Sequence, residues 1–321
     1  MGEFELIRNY FAAAPCAQPG EGVALGIGDD CALLSVAAGE QLAISTDTLV
    51  AGVHFPDVCD PFLLGQRALG VSASDLAAMG ASPLAFTLAL TLPQVSADWL
   101  EAFARGLNTM AQGCGLRLIG GDTTRGPLSI TVTVFGTVPV GQALTRSGAR
   151  PGDLLCVGGP LGDAAGALPL VLNQRSTEAS TTQALLARYW SPQPQFGLGI
   201  ALRGKASAAL DISDGLLADC GHIATASGVR LLVDREKVPM SDALLNFFGP
   251  DAALNAALSG GDDYRLAFTL PPSWLAELQA AGWPVFVLGR VVDGQGVALI
   301  DSLGQDVTPL TRGYQHFQET R

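Results

Sequence analysis

Five short segments set aspartate beside glycine, serine or threonine. They are Gly26-Ile27-Gly28-Asp29-Asp30, Ser45-Thr46-Asp47-Thr48, Ser74-Asp75-Leu76-Ala77-Ala78-Met79-Gly80, Gly120-Gly121-Asp122-Thr123-Thr124 and Asp211-Ile212-Ser213-Asp214-Gly215. Carboxylates gathered beside apolar stretches repel one another and lose hydration, so they need cations or protons to persist. Oxygen donors without a His or Cys cluster suit Mg²⁺ rather than zinc or iron. Any one segment reads equally well as a turn, because Asp and Gly dominate turns. All five together favour a shared Mg²⁺-phosphate site. Asp75 is the sharpest case: it falls inside an apolar helical run, where an Asp is costly unless it is paired or bound to metal.

The phosphate side is built differently from common nucleotide sites. Only two lysines occur, Lys205 and Lys237, so a phosphate clamp rests on arginine, with Arg125 and Arg146 as candidates. Residues 199–205 have P-loop spacing, but Ala206 stands where Mg²⁺ needs a hydroxyl, and the run precedes a strand instead of following one. Gly158-Gly159-Pro160-Leu161-Gly162 follows a strand and opens a helix, so its amides either cradle an anion or close a plain turn. His54 sits seven residues past Asp47 and reads by default as a hydrogen-bonded structural histidine. There is no G-x-S-x-G elbow and no H-E-x-x-H helix. An acid-rich site with no general base fits phosphoryl transfer, where positioning and charge neutralisation carry the chemistry. A phosphate-monoester acceptor, with a second pKa of about 6, needs no base at all.

These residues must be positioned by the elements between them. The spacing of Phe4, Ile7 and Phe11 predicts an opening helix. Residues 42–45 predict a strand that delivers Thr46 and Asp47 at its end. Asp60-Pro61 starts a helix running to about Gly80. Residues 84–92 alternate as a strand, and Ser96 caps a helix with a Trp99, Phe103, Leu107, Met110 stripe ending near Gly113. Residues 116–119 and 130–138 are further strands, so Asp122, like Asp47, is expected just past a strand end. The order predicts an α+β sheet with helices on one face and the other face needing cover. The turn-rich residues 139–152 mark a domain boundary, giving domains 1–140 and 141–321. The second half mixes strands, at 153–157, 208–212, 265–270 and 285–292, with helices.

A chain of 321 residues with 48% hydrophobic and 15% charged content is globular and long enough for two domains. Its net charge of −12 argues against nucleic acid or an anionic membrane as partner. Six scattered cysteines without a C-x-x-C pair, and no visible signal peptide or spanning segment, suggest a soluble cytoplasmic protein.

Taken together these motifs resemble the thiamine-monophosphate kinases, within the PurM-like (aminoimidazole ribonucleotide synthetase-related) superfamily. The likeness runs from Gly2-Glu3-Phe4 to Gly313-Tyr314-Gln315-His316-Phe317. Ser45-Thr46-Asp47-Thr48-Leu49-Val50-Ala51-Gly52-Val53-His54-Phe55, whose His-Phe tail separates these kinases from their relatives, and Leu144-Thr145-Arg146-Ser147-Gly148 carry it best. The resemblance implies a two-domain PurM-like fold with a C-terminal α/β sandwich, and a homodimer whose N-terminal sheets join into a barrel. It implies ATP- and Mg²⁺-dependent phosphorylation of thiamine monophosphate to thiamine diphosphate by direct in-line transfer. It implies several Mg²⁺ ions on Asp30, Ser45, Thr46, Asp47, Asp75, Asp122, Asp211 and Asp214. ATP contacts would be Gly121, Asp122, Arg146 and Ser213, and substrate contacts His54, Asp262 and Tyr314. Where the family has Gly-Gly-Glu-Asp-Tyr-Glu-Leu, this chain has Gly260-Gly261-Asp262-Asp263-Tyr264-Arg265-Leu266. Asp262 keeps the charge on a shorter arm; Arg265 reverses one, harmlessly if it faces solvent. The alternatives are a PurM-like enzyme acting on a different small acceptor, and a non-catalytic thiamine-phosphate binding protein.

Overall fold

The computed structural model describes residues 3–18, 20–310 and 313. They fall into two compact units: Met1–Ala77 with Ala81–Gly141 and Trp190–Phe196, and Ala78–Gly80 with Gln142–Tyr189 and Gly197–Arg321.

In the first unit, α1 (Glu3–Leu6) passes directly into a π-helical stretch, Ile7–Ala12. A small antiparallel pair, β1 (Val23–Leu25) and β2 (Leu33–Leu34), follows. The main sheet is built from β3 (Glu40–Val50), β4 (Ser82–Leu92), β5 (Arg117–Arg125) and β6 (Ser129–Pro139), in the order β3-β6-β4-β5. Between them lie α2 (Pro61–Ala78) and α3 (Ala97–Cys114). Asp60 accepts from the Phe62 N–H at 2.8 Å and starts α2 ahead of Pro61. Ser96 caps α3 by accepting from the Trp99 N–H, and Gly115 ends it in the left-handed region at φ 72°. The two helices approach closely because Gly65 and Gly106 carry no side chain: a Cβ on Gly106 would lie 1.9 Å from the Phe62 carbonyl oxygen.

Two expectations change here. Asp47 does not follow a short strand: β3 stays in register with β6 from Glu40 to Val50, which places Asp47 opposite Val132 inside the ladder. Asp122 likewise lies within β5, opposite Ala89. Both runs set threonine beside aspartate, and β5 adds two glycines, which local pattern reads as turn residues, but paired backbone on the neighbouring strand extends them. The sheet has two unlike faces. Ser45 and Asp47 lie on the face covered by α2, along with Gly136, whose Cβ position is 3.2 Å from the Leu76 side chain. The opposite face carries exposed Leu42, Ile44, Thr46 and Thr48. Two threonine pairs, Thr46–Thr133 and Thr48–Thr131, bridge β3 to β6 on that face, with Oγ1 atoms 2.9 and 2.8 Å apart.

The second unit contains β7 (Leu154–Val157), α4 (Asp163–Val171), α5 (Ala179–Trp190), α6 (Phe196–Leu202), β8 (Ala208–Asp211), α7 (Leu216–Ser227) and β9 (Arg230–Asp234). It continues with α8 (Asp242–Phe248), α9 (Pro250–Ser259), β10 (Leu266–Leu270), α10 (Leu275–Ala280), β11 (Phe286–Val292) and β12 (Gly296–Ile300). Its six-stranded sheet has the order β12-β9-β11-β7-β10-β8 and is antiparallel except for β12 on β9. Alternate residues feed two cores. Leu155, Val157, Leu210 and Ala267 pack with Leu217, Cys220 and Leu258 on one face; Cys156, Ala209 and Phe268 pack with Leu198, Leu202 and Leu278 on the other. This is a sandwich with helices on both faces, the arrangement that a sheet buried on both sides requires.

Candidate active site

In the first unit, one cluster draws on three of the aspartate-rich positions. The Ser45 hydroxyl donates to Asp75 Oδ2 across from β3 to α2. Asp75 therefore faces the sheet from α2. Asp47, two residues along the same face of β3, is raised to a pKa of about 6 by burial first and by the Asp75 charge second, with the Ser72 hydroxyl opposing. Two carboxylates and a hydroxyl in a poorly hydrated place form an oxygen-only donor set. Mg²⁺ is commonly held by one or two carboxylates together with substrate phosphates. Among the described residues, no three His, Cys, Asp or Glu side chains converge on a ready-made metal cage.

Asp122 lies on β5, the opposite edge strand of the sheet from β3, so the ladder alone does not bring it to Asp47. Instead it shares a cavity of about 1180 Å³ with Gly121, Asp29 and Asp30. The remaining lining includes the apolar Ile7, Phe11 and Phe135 and one arginine, Arg8. The lining is thus partly apolar and partly acidic, which suits a ligand with an apolar part and an anionic part carried by cations. Gly121 is required where it stands. Its φ is 153°, and a Cβ there would lie 1.9 Å from the Leu88 carbonyl oxygen.

His54 ends the turn after β3. Its Nδ1 accepts from the Val50 N–H at 3.0 Å, which fixes the orientation of the ring. Arg67, on α2 and 2% exposed, donates to the His54 carbonyl oxygen at 3.4 Å. Thr46 points to the open sheet face, in its pair with Thr133.

In the second unit, Asp211 is the last residue of β8 and is buried, while Ser213 is exposed and Asp214 partly so. Asp219, from the first turn of α7, accepts the N–H groups of Ser213, Asp214 and Gly215 on one oxygen, at 3.0, 3.0 and 3.1 Å. Burial raises its pKa to about 6. The loop after α9 docks on this one: the Asp262 N–H donates to the Ser213 carbonyl oxygen at 2.9 Å and the Tyr264 N–H to the Ile212 carbonyl oxygen at 2.8 Å. The Tyr264 hydroxyl donates to Asp262 Oδ1 at 3.0 Å. Arg146 is exposed; its loop is stapled by the Ser227 hydroxyl, which donates to the Arg146 carbonyl oxygen at 3.2 Å and accepts from the N–H groups of Gly148 and Ala149 at 3.1 Å. Arg125 is exposed at the end of β5. Tyr314 lies outside the described residues.

The glycine-rich turn at 158–162 spends three of its amides internally. Gly158 donates to the Leu266 carbonyl, Leu161 to the Pro239 carbonyl, and Gly162 to the Asp263 carboxylate at 2.9 Å. It is the plain tight turn of the two readings. Arg265 does not behave as a solvent-facing substitution. It is partly buried, beside Gly159, and its pKa is lowered by burial and then by Arg188, while Asp263 and Asp163 oppose. Asp263 is itself pushed well above the carboxylate range by burial, so Arg265 supplies positive charge to a buried acid pair. Asp163 also accepts from the Ser241 hydroxyl at 2.5 Å and meets Arg188 at 3.6 Å. Asp219, Asp263 and Arg67 escaped sequence reasoning. Asp219 had one legible signal, an acid in the first turn of the helix that follows Asp-Gly.

A pH dependence follows from Asp47 and Asp219. Each has a folded pKa of about 6 against an ordinary value of 3.8. Their contribution favours the folded state when they are protonated and is lost as pH rises through about 6. Metal-free protein is expected to melt at a higher temperature at pH 5.5 than at pH 7.5. A melting temperature that rises across that interval would contradict the assignment.

Similarity to known proteins extends over nearly the whole chain. Residues 28–138 match the family model for the AIR synthase related protein, N-terminal domain, and residues 150–302 that for the C-terminal domain. The thiamine-monophosphate kinase of Escherichia coli (strain K12) is 47% identical, covering 98% of each chain. The crystal structure of thiamine-monophosphate kinase from Stenotrophomonas maltophilia K279a superposes with a TM-score of 0.82 at 47% identity, over 87% of this chain and 91% of that one. AaThiL complexed with AMPPCP and TMP superposes at 0.79 and 31% identity, over 88% and 89%.

Proposed function

From the premise that the chain belongs to the thiamine-monophosphate kinase family of AIR synthase related proteins, we propose how its residues divide the work. The protein phosphorylates thiamine monophosphate with ATP. A phosphate oxygen of the acceptor forms a bond to the terminal phosphorus of ATP, the bond from that phosphorus to the bridging oxygen breaks, and ADP leaves with its electron pair. The acceptor oxygen is largely ionised at neutral pH, so no side chain has to remove a proton. What the protein must do is hold two anions together in line.

The observation that carries the division is the Ser45, Asp47, Asp75 cluster. Its repelling carboxylates and hydroxyl suit Mg²⁺; Asp30 and Asp122 in the first unit and Asp211 and Asp214 in the second are proposed as further cation ligands, while Thr46 is left out because its hydroxyl faces the other side of β3. Magnesium, when bound, supplies the positive charge that offsets the two phosphates. Gly121 and Asp122 line the large cavity and are proposed to meet the nucleotide with Arg146 and Ser213. His54 is proposed to contact the thiamine phosphate from the turn after β3. Asp262, held by Tyr264, is proposed to touch the same substrate. The exposed Leu42 and Ile44 beside the threonine pairs support a homodimer that covers this sheet face. Six free cysteines support a cytoplasmic setting, and among the described residues no helix is long and apolar enough to cross a membrane.

One preparation tests both the chemistry and the assembly. Incubated with ATP, Mg²⁺ and thiamine monophosphate, it is expected to form thiamine diphosphate and ADP in equal amounts, and to sediment at twice the chain mass. ATP consumption without thiamine diphosphate, or turnover undiminished by a chelator, would overturn the reading. A different preferred acceptor in a competition assay would favour the other superfamily chemistries.

A further inference from the structure

Three successive backbone N–H groups converging on one point form a nest that ordinarily attracts an anion. In the loop 213–215 that point is already filled by the protein's own Asp219, 4% exposed, on a single carboxylate oxygen. We propose that Asp219 is a positioning residue for the reaction: by occupying this nest it fixes the loop that presents Ser213 and Asp214 just after the strand-end Asp211. The inference rests on the reading above that these side chains serve the cation and nucleotide.

The geometry around the loop explains why one carboxylate has such reach. Gly215 sits at φ 120°, and a Cβ there would lie 2.9 Å from the Ser259 carbonyl carbon and 3.1 Å from the Gly260 oxygen, so the backbone path is held from outside as well as inside. The carbonyl oxygens of Ile212 and Ser213 accept the N–H groups of Tyr264 and Asp262. Those two residues adopt left-handed backbone, at φ 48° and 69°, which a non-glycine residue holds only when its surroundings impose it. The acidic loop and the Asp262 loop are therefore one hydrogen-bonded piece, anchored on the helix side by Asp219. Without that oxygen, three N–H groups lose their acceptor, and the loop turns to find water.

A cap that merely stabilises α7 predicts lower melting temperature with unchanged metal use, and two full-chain variants separate the cases. D219A removes the acceptor; D219N keeps an oxygen in its place. Hydrogen exchange of the 213–215 amides reads the anchoring with no turnover. D219A is expected to lose their protection and to raise the Mg²⁺ concentration for half-maximal rate by about tenfold or more, the range that residues supporting metal ligands command. At saturating Mg²⁺, kcat should recover by more than half. D219N is expected to keep the protection and to stay within about threefold of the parent. Unchanged Mg²⁺ dependence in an unprotected D219A, or a D219N as impaired as D219A, would overturn the proposal. If D219A does not fold, D219N decides alone. If the parent protein makes no thiamine diphosphate, the kinase reading fails, and calorimetric Mg²⁺ binding to parent and D219A still decides the role of Asp219.

Discussion

Asp75→Asn is expected to lower kcat/KM by a factor on the order of a thousand or more while leaving the protein folded. The substitution is nearly isosteric, and the carboxamide oxygen still accepts the Ser45 hydroxyl, so packing between α2 and β3 survives. What disappears is a negative charge facing Asp47. That charge contributes to holding Asp47 at a pKa of about 6, so its removal relieves repulsion and leaves stability level or raised. Cation affinity moves the other way, because a donor set of two carboxylates becomes one. A thousandfold loss corresponds to about 4 kcal/mol of transition-state stabilisation, within the range assigned to a metal that neutralises transferring phosphate. Steady-state rates over a Mg²⁺ titration, with a thermal melt on the same sample, provide the check. A variant retaining more than about a tenth of parental kcat/KM at low Mg²⁺ would show that Asp75 is not part of the cation machinery.

Gly121→Ala is expected to fail for the opposite reason, through the fold. The single added carbon would sit 1.9 Å from the Leu88 carbonyl oxygen and 2.7 Å from its carbon, on neighbouring strands in register. No flexible side chain can yield, because the obstacle is backbone. The φ of 153° adds strain that glycine alone avoids. Strand β5 must then part from β4 at the point where Asp122 meets the cavity, which costs about 3 kcal/mol or more. The expected result is a melting temperature lowered by many degrees, with nucleotide-dependent activity lost in the same variant. A melt within about two degrees of the parent would contradict the close approach of these strands.

The helices were largely legible in the chain because their signals are local. Asp60-Pro61 starts α2, Ser96 and Gly115 bracket α3, and each signal acts within a turn of its own backbone. The long strands were not, since β3 and β5 extend through residues whose local chemistry resembles turns. Only the ladder partner decides how far such a strand runs, and that partner is about ninety residues away for the Thr46–Thr133 pair. The fate of Arg265 was illegible for the same reason. Nothing beside it in the chain reveals Asp163 and Arg188, which approach from α4 and α5.

The residue types therefore pointed to the chemistry: clustered oxygen donors, few lysines and no nucleophile motif suit phosphoryl transfer, a reading that side-chain identity alone supports. The tertiary structure decided which carboxylates act as pairs. Asp75 meets Ser45 and Asp47 because α2 crosses one face of the sheet. Asp122 joins Asp29 and Asp30 because β5 is the far edge. Asp219 turns three amides inward because a helix begins just after them. Repulsion, desolvation and hydrogen bonding depend on distances of a few ångströms, and those distances are set by packing between segments far apart in the chain.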